Sequence, residues 1–148
     1  MKKSISISLL LALITVFVSF VSCDKEDDKP QKPIITLTEV GHDNSKIGHP
    51  GHDMHLVADI VADGLIKRID IEIHQEEGSD YEIEFSFTDG KYIGVRNTEF
   101  HEHLDIPADA PLGEYHLHFT VTDGEGQQTT VETHIDMVEG GDDDDDED

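Results

Sequence analysis

Residues Gly113 to Gly124 read Gly-Glu-Tyr-His-Leu-His-Phe-Thr-Val-Thr-Asp-Gly. Tyr115, Leu117, Phe119 and Val121 occupy one phase of this stretch, and Glu114, His116, His118 and Thr120 the other. A strict period of two puts alternate side chains on opposite faces, so the segment predicts a β-strand with one buried face. The Asp123-Gly124-Glu125-Gly126 turn ends it and starts a second alternating run, Val131, Thr133, Ile135 and Met137. Working back toward the N-terminus, the same reading fits Phe100, Leu104 and Ile106, then Tyr81, Ile83, Phe85 and Phe87. It also fits Ile69, Ile71 and Ile73, then Leu56, Ala58, Ile60 and Ala62, and finally Ile35, Leu37 and Glu39. Turn residues separate the runs at Asp63-Gly64, Glu77-Gly78, Asp89-Gly90 and Pro111-Leu112-Gly113, and no long helical period is present. About seven short strands, each apolar on one face, predict an all-β antiparallel sandwich.

The approach to this strand narrows the architecture. Leu104-Asp105-Ile106-Pro107, followed by Gly113-Glu114-Tyr115-His116, resembles the E–F corner of immunoglobulin-like domains, where a tyrosine opens strand F. The cysteine pair of antibody domains is absent, so the resemblance is to the sandwich class. An immunoglobulin-like order places strands C, F and G side by side in one sheet and pairs B with E in the other.

All ten histidines fall between His42 and His134. A loop carries His42, Asp43, His49, His52, Asp53 and His55, while His101-Glu102-His103 and His116-Leu117-His118 are two His-x-His pairs. Imidazole is the commonest protein metal ligand, so this enrichment points to metal. Residues two apart on a strand share a face at about 7 Å, a span that one ion with bonds of ~2 Å can bridge. Because the apolar phase must face the core, His55, His74, His101, His103, His116, His118 and His134 all point outward. Antiparallel pairing then gathers them at one pole as two candidate sites. The first joins His74, His116, His118 and His134, with Glu72 in support. The second joins His55, His101 and His103 with His49, His52 or Asp53. Such donors suit zinc or copper; with no thiolate, and only Met54 beside the loop histidines, a soft Cu(I) site is disfavoured.

Other classes fare less well. No Gly-x-Ser-x-Gly elbow, phosphate-binding glycine loop or His-Glu-x-x-His helix is present, and His101-Glu102-His103 lacks the helical spacing of a zinc protease. The expectation is therefore a protein that is not an enzyme. An alternative is a non-catalytic binding or adhesion module accessory to outer-membrane nutrient uptake. A glycan platform would need aromatic rings, however, and the chain has no tryptophan and only Tyr81, Tyr92 and Tyr115.

The termini supply the address. Lys2 and Lys3 precede an apolar run from Ile5 to Val21, which is short for a membrane span and placed where a secretory signal belongs. Cys23, the single cysteine, follows Phe20-Val21-Ser22 and resembles the acylated cysteine of bacterial lipoproteins. Asp24-Lys25-Glu26-Asp27-Asp28-Lys29 resembles the export signal of Bacteroidetes surface lipoproteins and serves equally as a charged tether. The reading divides the chain into a signal peptide (1–22), the acylated cysteine and tether (23–33), the sandwich (34–138) and an acidic tail (139–148). It places the protein at the outer membrane, lipid-anchored and displayed at the cell surface, with the periplasmic face as the alternative and an outer-membrane transporter as a partner. With 34 acidic against 10 basic residues the net charge is −24, which disfavours nucleic acid and anionic lipid and favours cations.

Several motifs in order carry a family resemblance: Gly41-His42-Asp43-Asn44, Asp53-Met54-His55-Leu56, Ile71-Glu72-Ile73-His74, Phe100-His101-Glu102-His103, Ile106-Pro107 and Gly113-Glu114-Tyr115-His116. From about His42 to Asp136 the chain resembles a family of Bacteroidetes lipoproteins catalogued as a domain of unknown function, number forty-six twenty-five. The resemblance implies a small immunoglobulin-like lipoprotein domain and no assigned activity. His49, His52 and His118 lie outside these motifs.

Overall fold

The computed structural model describes residues 31–140. The signal peptide, Cys23, most of the tether and the tail beyond residue 140 lie outside the described residues. Eight strands form: β1 (Ile34–Val40), β2 (Ile47–Gly48), β3 (Asp53–Val61), β4 (Ile66–Gln75), β5 (Glu82–Phe87), β6 (Asn97–Asp105), β7 (Gly113–Asp123) and β8 (Gln128–Met137). They make two sheets, β1-β3-β6 and β2-β8-β7-β4-β5. All pairings are antiparallel except the short β2, which runs parallel to β8. In immunoglobulin terms β3 and β6 stand as B and E, and β4, β7 and β8 as C, F and G. Among the described residues no helix is long and apolar enough to cross a membrane.

The alternation sorts the side chains as the sequence predicts. Leu56, Ile60, Ile69, Ile71, Ile73, Phe100, Leu117, Phe119 and Ile135 are buried between the sheets. Phe100 of β6 meets Phe119 of β7 edge to face, ring centroids 5.1 Å apart, which ties the two sheets together at the centre. Burying one such side chain stabilises the fold by about 1.5–3 kcal/mol. Tyr115 is fully buried, and its hydroxyl donates to the Pro111 carbonyl at 2.7 Å, closing the corner expected between β6 and β7.

Two departures from simple alternation matter later. The phase set by Ile35 and Leu37 predicts that Glu39 faces the core. Instead the β1–β3 register shifts between Leu37 and Glu39, so that Glu39 lies opposite Val57 and Val40 opposite Leu56. One extra residue, Thr38, thus turns the carboxylate to the outer face and sends Val40 inward. Glu102 is the second case. It sits opposite Leu56, in the inward phase of β6, but at the sheet edge. There the Tyr92 hydroxyl lies 2.5 Å from its carboxylate and Lys91 3.2 Å away. Tyr92, buried in a segment without periodicity, also accepts from the His101 N–H at 3.1 Å. Its hydrogen bond, with Lys91 beside it, holds the Glu102 carboxyl below the usual carboxylate range.

Candidate metal centre

The strand register builds two histidine groups on the outer faces of different sheets. On the three-stranded sheet, His55 of β3 stands opposite His103 of β6, and Val57 opposite His101. The His55 ring therefore lies between the other two, with centroids 4.6 Å from His101 and 4.9 Å from His103. One nitrogen from each imidazole falls within 4.8 Å of the others. All three project outward because Leu56, Phe100 and Leu104 fill the inward phase.

Carboxylates fix how two of these rings present themselves. Glu39 accepts from His55 Nδ1 at 3.0 Å, and Asp53 is hydrogen-bonded to His103 Nδ1. With Nδ1–H donated, the lone pair of each ring lies on Nε2, the usual way in which a carboxylate orients a metal-ligating histidine. His55 Nε2 and His101 Nε2 are 2.8 Å apart, so one proton bridges them. A tetrahedral ion with bonds of about 2.0–2.1 Å needs roughly 3.3–3.4 Å between neighbouring nitrogens. An ion held by both rings would replace that proton and open the pair by about half an ångström.

On the five-stranded sheet, His74 of β4, His116 of β7 and His134 of β8 are directly opposite one another in register. The next row reads Glu72, His118 and Glu132. Within this array the atoms that converge are those of Glu76, His116 and His134, again within 4.8 Å of one another. Glu76 follows β4 and is held by its N–H to the Glu114 carbonyl at 2.9 Å, which continues the ladder past Gln75. It therefore shares the face of His74, two residues back. Its carboxylate oxygens lie 3.4 Å from His116 Nε2 and 3.6 Å from His134 Nδ1.

The remaining residues predicted from the sequence are placed differently. His74 stacks on His116, centroids 5.4 Å apart and planes at 17°, and its Nδ1 lies 3.2 Å from Glu72. His118 lies 4.0 Å from Glu132. His49 Nδ1 is bonded to the Val138 carbonyl at 3.2 Å, and its ring meets His52 edge-on at 6.3 Å. Neither loop histidine joins the His55 group, whose geometry is set by β3 and β6. Asp53 contacts the group through His103, as a partner of a ligand. His42 is paired with Asp43 in solvent. Met54 is buried in the core and offers no sulfur to the surface.

With this geometry established, the family can be given. A family model described as a domain of unknown function, DUF4625, matches residues 21–138. The chain belongs to this family. No curated protein matches the chain. Membership agrees with the domain recognised from its motifs and carries no activity with it, so function rests on the side chains.

Proposed function

We propose that this chain is a surface-displayed lipoprotein, anchored through Cys23, whose domain captures a divalent transition metal, zinc or copper, at His55, His101 and His103. The observation that carries the reading is the pair of carboxylates, Glu39 and Asp53, bonded to the Nδ1 atoms of His55 and His103, in a group of three imidazoles that each offer a nitrogen within 4.8 Å of the others. Solvated surface histidines have no need of two orienting carboxylates around a common point. Three protein ligands leave a coordination position open, and His103 is more than half exposed. Such a site is open to exchange, which suits capture or buffering of an ion and its delivery to a recipient such as an outer-membrane transporter. The high negative charge of the chain raises the local cation concentration.

The test is elemental analysis of the protein purified without a histidine tag, followed by zinc and copper titration after chelation. Stoichiometric, sub-micromolar binding that is lost in the His101→Ala/His103→Ala variant is the expected result. Because protons compete with metal for imidazole nitrogen, that binding should weaken as the pH is lowered. Binding that is weak and disappears on truncating the acidic tail would overturn the reading. The anchor is tested separately: Cys23→Ala should abolish labelling by a radioactive fatty acid and release the protein from the membrane fraction.

A further inference from the structure

We propose that the outer face of the five-stranded sheet carries a second, independent metal site, with Glu76, His116 and His134 as ligands to a divalent ion of the zinc class. The separations from Glu76 to the two imidazoles, 3.4 and 3.6 Å, exceed the usual N–H···O distance of about 2.9–3.0 Å. They run to different carboxylate oxygens, Oε1 to His116 Nε2 and Oε2 to His134 Nδ1, so the carboxylate faces both rings without being tightly bonded to either. One ligand atom from each of the three groups lies within 4.8 Å of the others, close enough for side-chain rotation to bring all three onto one ion.

The fold gives each ligand a fixed origin. His116 and His134 are cross-strand partners on β7 and β8, with ring centroids 4.4 Å apart. Glu76 reaches them diagonally from the extended end of β4. His74 packs its ring against His116 from the β4 side and restricts its rotation. Its own Nδ1 is shielded from solvent and has no hydrogen-bond partner, although Glu72 is near. The surrounding register positions are occupied by Glu72, Glu82, Glu84 and Glu132, so the whole face favours a cation. Glu82 already responds to this crowding: desolvation, and then repulsion from Glu72 and Glu84, raises its carboxyl above the usual value.

The two sites cannot share an ion, because they lie on outward faces of sheets that pack about 10 Å apart with the core between them. Their donors differ as well. Three imidazoles on one sheet and two imidazoles with a carboxylate on the other make the second site the harder of the two, and a poorer one for copper relative to zinc. This inference stands on its own residues and is separable from the reading of the first site.

The experiment is calorimetric titration with zinc alone of the full chain, detergent-solubilised and stripped by chelator. Wild type, His116→Ala/His134→Ala, His101→Ala/His103→Ala and Glu76→Gln would be compared, with thermal unfolding recorded for each. All the substituted side chains are at the surface, so the fold should persist; Glu76→Gln, outside the strands, is the mildest change. The expected result is two equivalents in wild type and one in either histidine variant, with Glu76→Gln weakening the second equivalent at least tenfold. One equivalent that only His101→Ala/His103→Ala removes would overturn the second site and leave the first. One equivalent that only His116→Ala/His134→Ala removes would uphold the second site and overturn the first. Absence of stoichiometric binding would overturn both.

Discussion

Glu39→Gln tests whether the first site is organised by its carboxylates. Glutamine keeps the length of the side chain and an oxygen that can accept from His55 Nδ1–H, but it removes the charge that polarises the ring. Carboxylates behind ligating histidines typically contribute 10- to 100-fold in metal affinity, or about 1.4–2.7 kcal/mol. The structure locates this pair within that range. His55 and Glu39 are 19% and 31% exposed at 3.0 Å, so water screens them little, and a loss of roughly 30- to 100-fold is expected. The Asp53–His103 pair is 50–62% exposed, so Asp53→Asn should cost about tenfold or less. Competition against a chromophoric zinc chelator would read both, in a His116→Ala/His134→Ala background so that only the first site reports. Thermal unfolding without metal serves as the control, since loss of the Glu39 pair alone should cost about 1 kcal/mol or less of stability. If Glu39→Gln binds zinc within threefold of the parent, or if Asp53→Asn is the more damaging change, the reasoning fails.

Three further outcomes follow from the fold. Tyr115→Phe removes the hydroxyl that closes the corner on Pro111 and should lower unfolding stability by about 0.5–1.5 kcal/mol in denaturant titration, with zinc affinity unchanged. Deleting Thr38 removes the bulge but leaves Glu39 opposite Val57 and Val40 opposite Leu56, so the carboxylate stays on the outer face and zinc affinity should hold within about threefold in the same competition assay. Tyr92→Phe should cost about 1–2 kcal/mol at neutral pH, measured by chemical denaturation across pH. Because the folded Glu102 carboxyl lies below its ordinary value, its contribution is complete above the unfolded carboxylate range. That contribution is lost as pH falls through the folded value, so the gap between variant and wild type should narrow below about pH 4 while the Tyr92–His101 bond persists.

Alternation made most of the frame legible. His116 faces outward because Leu117 and Phe119 have nowhere to go but the core, and the topology places His74, His116 and His134 in one row. The pairing of His55 with His103 follows in the same way from β3 lying beside β6. The acidic members were harder to find. Glu39 is displaced by a bulge that leaves no mark in the hydrophobic pattern, and its phase alone points the wrong way. Glu76 lies past the last apolar residue of its strand, and only the backbone bond to Glu114 shows that the ladder continues to it. A period-two extension from His74 would have found it. The loop histidines resisted for another reason. The path from Gly41 to Gly51 is set by left-handed backbone at Gly41, Asp43, Asn44, Lys46 and Gly51, which turns His49 toward Val138 and away from β6.

The location of these groups bears on the proposed metal role. The core from Val40 to Met137 is closed by apolar packing and by the Tyr115 corner, and among the described residues neither histidine group joins elements that would otherwise separate. Both histidine groups instead lie on strands already paired by backbone ladders. An ion bound there adds stability only by mass action, about 2.7 kcal/mol at a hundredfold excess over Kd. In domains that depend on a structural zinc, by contrast, removal of the ion unfolds the chain. On the proposed reading, metal could therefore leave without unfolding the chain. The carboxylates that aim the rings are held by the strands and not by an ion, so such a site would be ready to load again. A rigid scaffold with exposed, carboxylate-oriented imidazoles is suited to turnover of its ion, and that physical property distinguishes capture and transfer from structural storage.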